Sequence, residues 1–188
     1  LTDSVNGKKM LFVDDLDIAR DGTIWFSDAT ELYTYNNSTY SILENKATGR
    51  LLSYSPVTNE TKVHLTNLHF ANGVALGPSE EYVLVNETAG AKIKRLWLEG
   101  PNAGKSDYLI DALPGFPDNI SFNGVDTFWV ALPGIRQPII DMLANKPFIR
   151  KLIGGLPLEL IMPKNTHAFI LGINPSGEII HNFQHKES

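Results

Sequence analysis

Apolar and polar positions alternate along most of the chain in short runs broken by turn residues, a period-two pattern that predicts β-strands. The runs LDIARDGTIWFSDAT, VALGPSEEYVLVNET and ISFNGVDTFWVALPG each read as a hairpin, turning at Asp21-Gly22, Pro78-Ser79 and Asn123-Gly124. A second hairpin follows each of the first: GRLLSYSPVTNETKVHL, AKIKRLWLEGPNAGKSDYLI and HAFILGINPSGEIIHNF. Two hairpins make a four-stranded sheet, so the pattern predicts three sheets, over residues 11–66, 67–112 and 113–188. One stretch departs from the alternation. Ile139, Ile140, Met142 and Leu143, then Phe148, Ile149, Leu152 and Ile153, recur at helical spacing on either side of Pro147. Two short amphipathic helices are expected there, forming a cap over 138–156. The insertion TELYTYNNSTYSILENKATG, rich in Tyr, Asn, Ser and Thr, is expected to be a long loop over one mouth of the fold.

The first hairpins share an opening motif: Phe12-Val13-Asp14-Asp15-Leu16, Phe70-Ala71-Asn72-Gly73-Val74 and Phe116-Pro117-Asp118-Asn119-Ile120. Asp or Asn stands two residues after each Phe, and these positions recur 58 and then 46 residues apart. One four-stranded sheet per roughly 40–50 residues is the period of a β-propeller. A β-sandwich also has short strands at regular spacing, but it does not require one motif at the start of successive sheets. Three sheets leave open edges, so further blades are expected from a longer chain or from a second chain. The first strand of each propeller blade lines the central tunnel. A motif at its start therefore sets one oxygen-bearing side chain per blade around the axis, an arrangement suited to a hard cation such as calcium, which takes about 6–8 oxygen ligands. Asp14, Asn72 and Asp118 hold the equivalent positions. Asp28 and Glu87, ending the second strands of their hairpins, are candidate tunnel-mouth acids for activating water.

Composition narrows the choice of ligand. Sixteen Lys and Arg against 21 Asp and Glu give a net charge of −5, with no basic stripe to follow a phosphate backbone, so nucleic acid is excluded as the expected partner. A small uncharged substrate fits better. The absence of cysteine removes thiol nucleophiles, thiolate zinc sites and disulfides. The longest apolar stretch, Phe148 to Met162, contains Arg150, Lys151, Pro157 and Glu159 and is not expected to span a bilayer. The amphipathic cap could still contact a membrane surface. Sequons at Asn36, Asn37, Asn59, Asn86 and Asn119 permit N-glycosylation in a secretory compartment, with Asn86 and Asn119 poor acceptors because they fall near the tunnel.

The stretches FVDDLDIARDGTIWFSDAT, GRLLSYSPVTNETKVHLTNLHFANGVALGPSEEYVLVNET, KIKRLWLEGPNAGKSD, LPGFPDNI and FWVALPG resemble the strictosidine-synthase-like family, in particular its adipocyte plasma-membrane-associated branch. That resemblance implies an all-β, six-bladed propeller, of which about three blades are present here. It also implies calcium in the central tunnel, as in the wider superfamily of paraoxonase-like and gluconolactonase-like proteins. It adds Asn119 to the ligand set, by match to the family's Asp-Asn pair, giving Asn72, Asp118, Asn119 and Asp14. Asp14 departs from the Asn that many relatives carry, and the superfamily's first-blade glutamate ligand has no counterpart in the chain. The five histidines match no catalytic histidine of the paraoxonase-like enzymes, and no position matches the glutamate of true strictosidine synthases. The implied function is a calcium-dependent hydrolase of small esters or lactones; the alternative is a non-catalytic, calcium-stabilised propeller serving as a binding or membrane-associated module.

Overall fold

The computed structural model describes residues 2–136 and 167–186. An N-terminal hairpin, β1 (Ser4–Val5) and β2 (Lys8–Lys9), precedes the first of three four-stranded antiparallel sheets. The first sheet holds β3 (Val13–Ile18), β4 (Ile24–Asp28), β5 (Gly49–Ser55) and β6 (Glu60–Leu68) in sequence order. The second holds β7 (Ala71–Leu76), β8 (Tyr82–Glu87), β9 (Lys92–Trp97) and β10 (Ser106–Ile110). The third holds β11 (Ile120–Phe122), β12 (Phe128–Leu132), β13 (His167–Ile173) and β14 (Ile179–Lys186). Each is an up-and-down sheet, and the first strands β3, β7 and β11 lie side by side. This is the arrangement of successive propeller blades.

Period-two side-chain alternation lets one strand serve two cores at once. On β8, Val83 and Val85 face the first sheet and pack with Trp25, Leu51, Val74 and Leu96. Leu84, between them, faces the third sheet and joins Ile93, Phe128, Val130, Leu132, Leu171 and Ile173. All six residues of β8 are buried, which explains why YVLVNE reads as a nearly continuous apolar run. The outer face of the first sheet, Phe26, Leu52 and Tyr54, is covered by Val5 and Met10 of the N-terminal hairpin.

The insertion between β4 and β5 carries a 3₁₀ turn, Tyr35–Asn37, and one short helix, α1 (Ser38–Glu44), where a long loop was expected. Asn45 closes α1 in the left-handed conformation (φ 50°), with its N–H donating to Ser41 O and Ile42 O, the kind of residue that C-caps tolerate there. The expected helical cap over 138–156 lies outside the described residues.

Candidate functional site

The repeat motif acquires its meaning from two irregularities of register. On β3, Val13 pairs with Asp28 and Leu16 with Phe26, so Asp14-Asp15 is a bulge carrying one extra residue. On β7, Ala71 pairs with Glu87 and Val74 with Val85, which makes Asn72-Gly73 the equivalent bulge. Bulges re-aim side chains and concentrate beside functional sites. In the third sheet, Asp118 N–H donates to Ala131 O (2.8 Å) and Ala131 N–H to Asn119 O (3.0 Å), fixing that dipeptide just before β11.

These dipeptides converge. Asn72 Nδ2 donates to Asp118 Oδ1 at 2.7 Å, and Gly73 N–H donates to Asp118 O at 3.1 Å. Asn86, which the sequence marked only as a sequon near the tunnel, donates from Nδ2 to the same Asp118 carbonyl at 2.6 Å. Its Oδ1 is buried and, among the described residues, has no hydrogen-bond partner. The Asp14 carboxyl is pushed up to about 6, first by desolvation and then by the negative charges of Asp118 and Asp15. Asp14, Asn72 and Asp118 thus form one cluster, with Asn72 buried and Asp14 exposed. Asn119 contributes its carbonyl to the β12 ladder and is exposed.

Carboxylates that repel one another beside amide oxygens are a donor set that fits a hard divalent cation. Among the described residues, no three acids or histidines stand close enough to hold a metal by themselves. A cation here would therefore lean on the amide groups of Asn72 and Asn119 together with the carboxylates of Asp14 and Asp118.

Asp28 and Glu87, the candidate tunnel-mouth acids, occupy equivalent places, and both are buried. Asp28 is 0% exposed; its Oδ1 accepts from Phe12 N–H (3.1 Å) and its Oδ2 accepts from Arg50 Nε (3.1 Å) and Nη2. Arg50 also reaches Glu31 at 3.1 Å. Glu87 is 1% exposed, and its Oε2 accepts from His69 N–H at 2.8 Å. Each acid thus holds the backbone just before a bulge, Phe12 ahead of Asp14-Asp15 and His69 ahead of Asn72-Gly73. The sequence marks both as strand-end acids, and only the pairing Asp28↔Arg50 in the β4–β5 ladder brings a guanidinium to one of them.

Two further acids went unremarked as partners of a neighbouring strand. Asp15 Oδ2 accepts from Val74 N–H (2.9 Å) and Asp17 Oδ2 from Leu76 N–H (2.8 Å), joining the first sheet to β7 at its innermost strand. Their spacing in VDDLDI, two residues apart and so on one strand face, was the available signal.

A pH dependence follows for the metal-free chain. A carboxyl raised from 3.8 to about 6 favours the protonated form on folding, so Asp14 lowers stability as pH rises through roughly 4 to 6 and has no effect below that window. Asp14→Asn is expected to stabilise the chain by about 1 kcal/mol at neutral pH, the value being reduced by solvent screening of an exposed group. Equal urea midpoints for both proteins at pH 7.5 would contradict this.

The strictosidine synthase family model matches residues 14–101. A strictosidine synthase-like protein of Arabidopsis thaliana is 41% identical over 166 residues, covering 88% of this chain and 41% of its own length. Adipocyte plasma membrane-associated protein of Rattus norvegicus is 43% identical over 180 residues, covering 92% and 48% respectively. The chain thus spans less than half the length of these curated relatives. Among solved structures, a gluconolactonase from Xanthomonas campestris superposes with a TM-score of 0.63 at 16% identity, over all of this chain and 51% of that one. A calcium-binding protein, regucalcin, from Agrobacterium tumefaciens gives 0.57 at 13% identity, covering 90% and 44%. At such identities the likeness is one of fold.

Proposed function

From the premise that the chain belongs to the strictosidine-synthase-like family, we propose that it is part of a calcium-dependent hydrolase of small esters or lactones. The observation that carries this reading is the convergence of Asp14, Asn72 and Asp118, three repeat-equivalent positions drawn together by two bulges and the 2.7 Å contact between Asn72 and Asp118. The calcium-binding and gluconolactonase structures that share the fold support the same direction.

Asp118, Asp14, Asn72 and Asn119 would hold the ion, and the ion when bound would polarise the carbonyl oxygen of the substrate. Asn86 fixes the Asp118 carbonyl, and its unpartnered Oδ1 leaves a buried acceptor beside the cluster. Asp28 and Glu87 hold the backbone before the ligand bulges, so their part is positioning.

The engagement of Asp28 by Phe12 N–H and Arg50, and of Glu87 Oε2 by His69 N–H, favours, as a second reading, a non-catalytic propeller that calcium only stabilises. Hydrolysis of phenyl acetate and of a simple γ-lactone, each with calcium and with a chelator, separates the two. Turnover that disappears on chelation and returns with calcium supports the hydrolase. Calcium-dependent stability without turnover supports the binding module. Turnover indifferent to chelation contradicts both.

A further inference from the structure

Asn86 stands directly across the ladder from a ligand bulge. Ala71 pairs with Glu87 and Val74 with Val85, so Asn86 is the one residue of β8 that opposes the pair Asn72-Gly73. The same place in the first sheet belongs to Ser27, across from Asp14-Asp15. In the third sheet it belongs to Ala131, which exchanges backbone hydrogen bonds with Asp118 and Asn119. Ser27 and Asn86 are both 0% exposed, but they use their polar atoms differently. Ser27 Oγ accepts from Asp15 N–H at 3.2 Å and so serves its own bulge. Asn86 turns to the next blade instead, donating from Nδ2 to Asp118 O at 2.6 Å.

That contact fixes which way the amide faces. A carbonyl oxygen accepts only from the NH2 group, so Oδ1 is the atom left over. It is buried and, among the described residues, has no partner. Its neighbours on the same loop are engaged: Thr88 Oγ1 donates to Pro117 O at 2.7 Å, and Asn72 Nδ2 to Asp118 Oδ1 at 2.7 Å. A buried acceptor without a donor is unfavourable, and this one belongs to a residue that opposes Asn72 and touches Asp118. Calcium takes about 6–8 oxygens, more than one each from Asp14, Asn72, Asp118 and Asn119.

We propose that Asn86 Oδ1 is a further oxygen ligand of the cation, so that one side chain both pins the Asp118 loop and completes the site it helps to form. The proposal rests on the cation reading of the cluster and is independent of hydrolysis.

Calcium titration by isothermal calorimetry of the full chain, of Asn86→Leu and of Asn86→Asp tests it. Asn86→Leu removes both polar atoms, whereas Asn86→Asp removes the donor and keeps an oxygen. Asn86→Leu is expected to weaken calcium binding about tenfold or more, while Asn86→Asp binds at least as tightly as the wild-type chain. Wild-type affinity in Asn86→Leu overturns the proposal and leaves Oδ1 to a buried water. Affinity below wild type in Asn86→Asp also overturns it, since a residue that acts only by holding the Asp118 carbonyl fails once its donor is gone. Should Asn86→Leu not fold, Asn86→Asp decides by the same criterion. A wild-type chain that binds no calcium removes the cation reading and this proposal with it, an outcome distinct from either variant failing its expectation.

Discussion

Arg50→Ala is expected to destabilise the chain by about 3–5 kcal/mol, because it strands the Asp28 carboxylate in the interior without its cation. Asp28 and Arg50 are 0% and 4% exposed, so water does not replace the lost guanidinium. What remains to Asp28 is one backbone donor, Phe12 N–H at 3.1 Å. Arg50→Lys is expected to recover only part of the loss, since an ammonium cannot reproduce the paired contacts of Nε and Nη2 on one carboxylate oxygen. Asp28→Asn placed in the Arg50→Ala background should be less unstable than Arg50→Ala alone, because the unpaired charge is then gone. Urea unfolding of the four proteins measures this. A loss below about 1 kcal/mol in Arg50→Ala would be that of a surface pair and would contradict the buried arrangement.

Gly73→Ala is expected to cost about 1–3 kcal/mol through overpacking and to weaken any divalent binding at the cluster. A Cβ on Gly73 would lie 2.6 Å from Asp118 O and 2.6 Å from Ile120 N, both backbone atoms that cannot rotate away. The same position donates its N–H to Asp118 O. Relief requires β7 and β11 to part, moving Asn72 from Asp118. A fall in the unfolding midpoint together with weaker calcium binding is therefore the expected pair of results; a protein of wild-type stability and affinity would show that the two strands are not so closely apposed.

The fold was largely legible because its signal is local and repeated. Two-sided burial makes β8 apolar from Tyr82 to Val85, and Asp21-Gly22 and Asn123-Gly124 supply the left-handed glycines their turns require (φ 86° and 80°). The Phe-x-Asp/Asn motif showed which positions were equivalent. The bulges that aim those positions were not legible, since a bulge appears only when two strands are put in register. The backbone partners of Asp28 and Glu87 were not legible for a similar reason: Phe12 N–H and His69 N–H carry no sequence signature. The helix Ser38–Glu44 was missed because its Ser, Thr and Tyr residues have indifferent helix propensity. Around it, the insertion is anchored by tertiary contacts such as Asn45 with His69.

The central claim, that Asp14, Asn72 and Asp118 form a divalent-cation site, is tested most directly by thermal unfolding of the chain with added calcium and with a chelator. A ligand at 100 times its dissociation constant stabilises by about 2.7 kcal/mol, so a bound ion should raise the transition of the wild-type chain clearly. The shift should be lost in Asn72→Ala and in Asp118→Ala. A calcium-dependent shift that survives both substitutions, or no shift in the wild-type chain, would contradict the assignment and leave these residues as formers of bulges and turns.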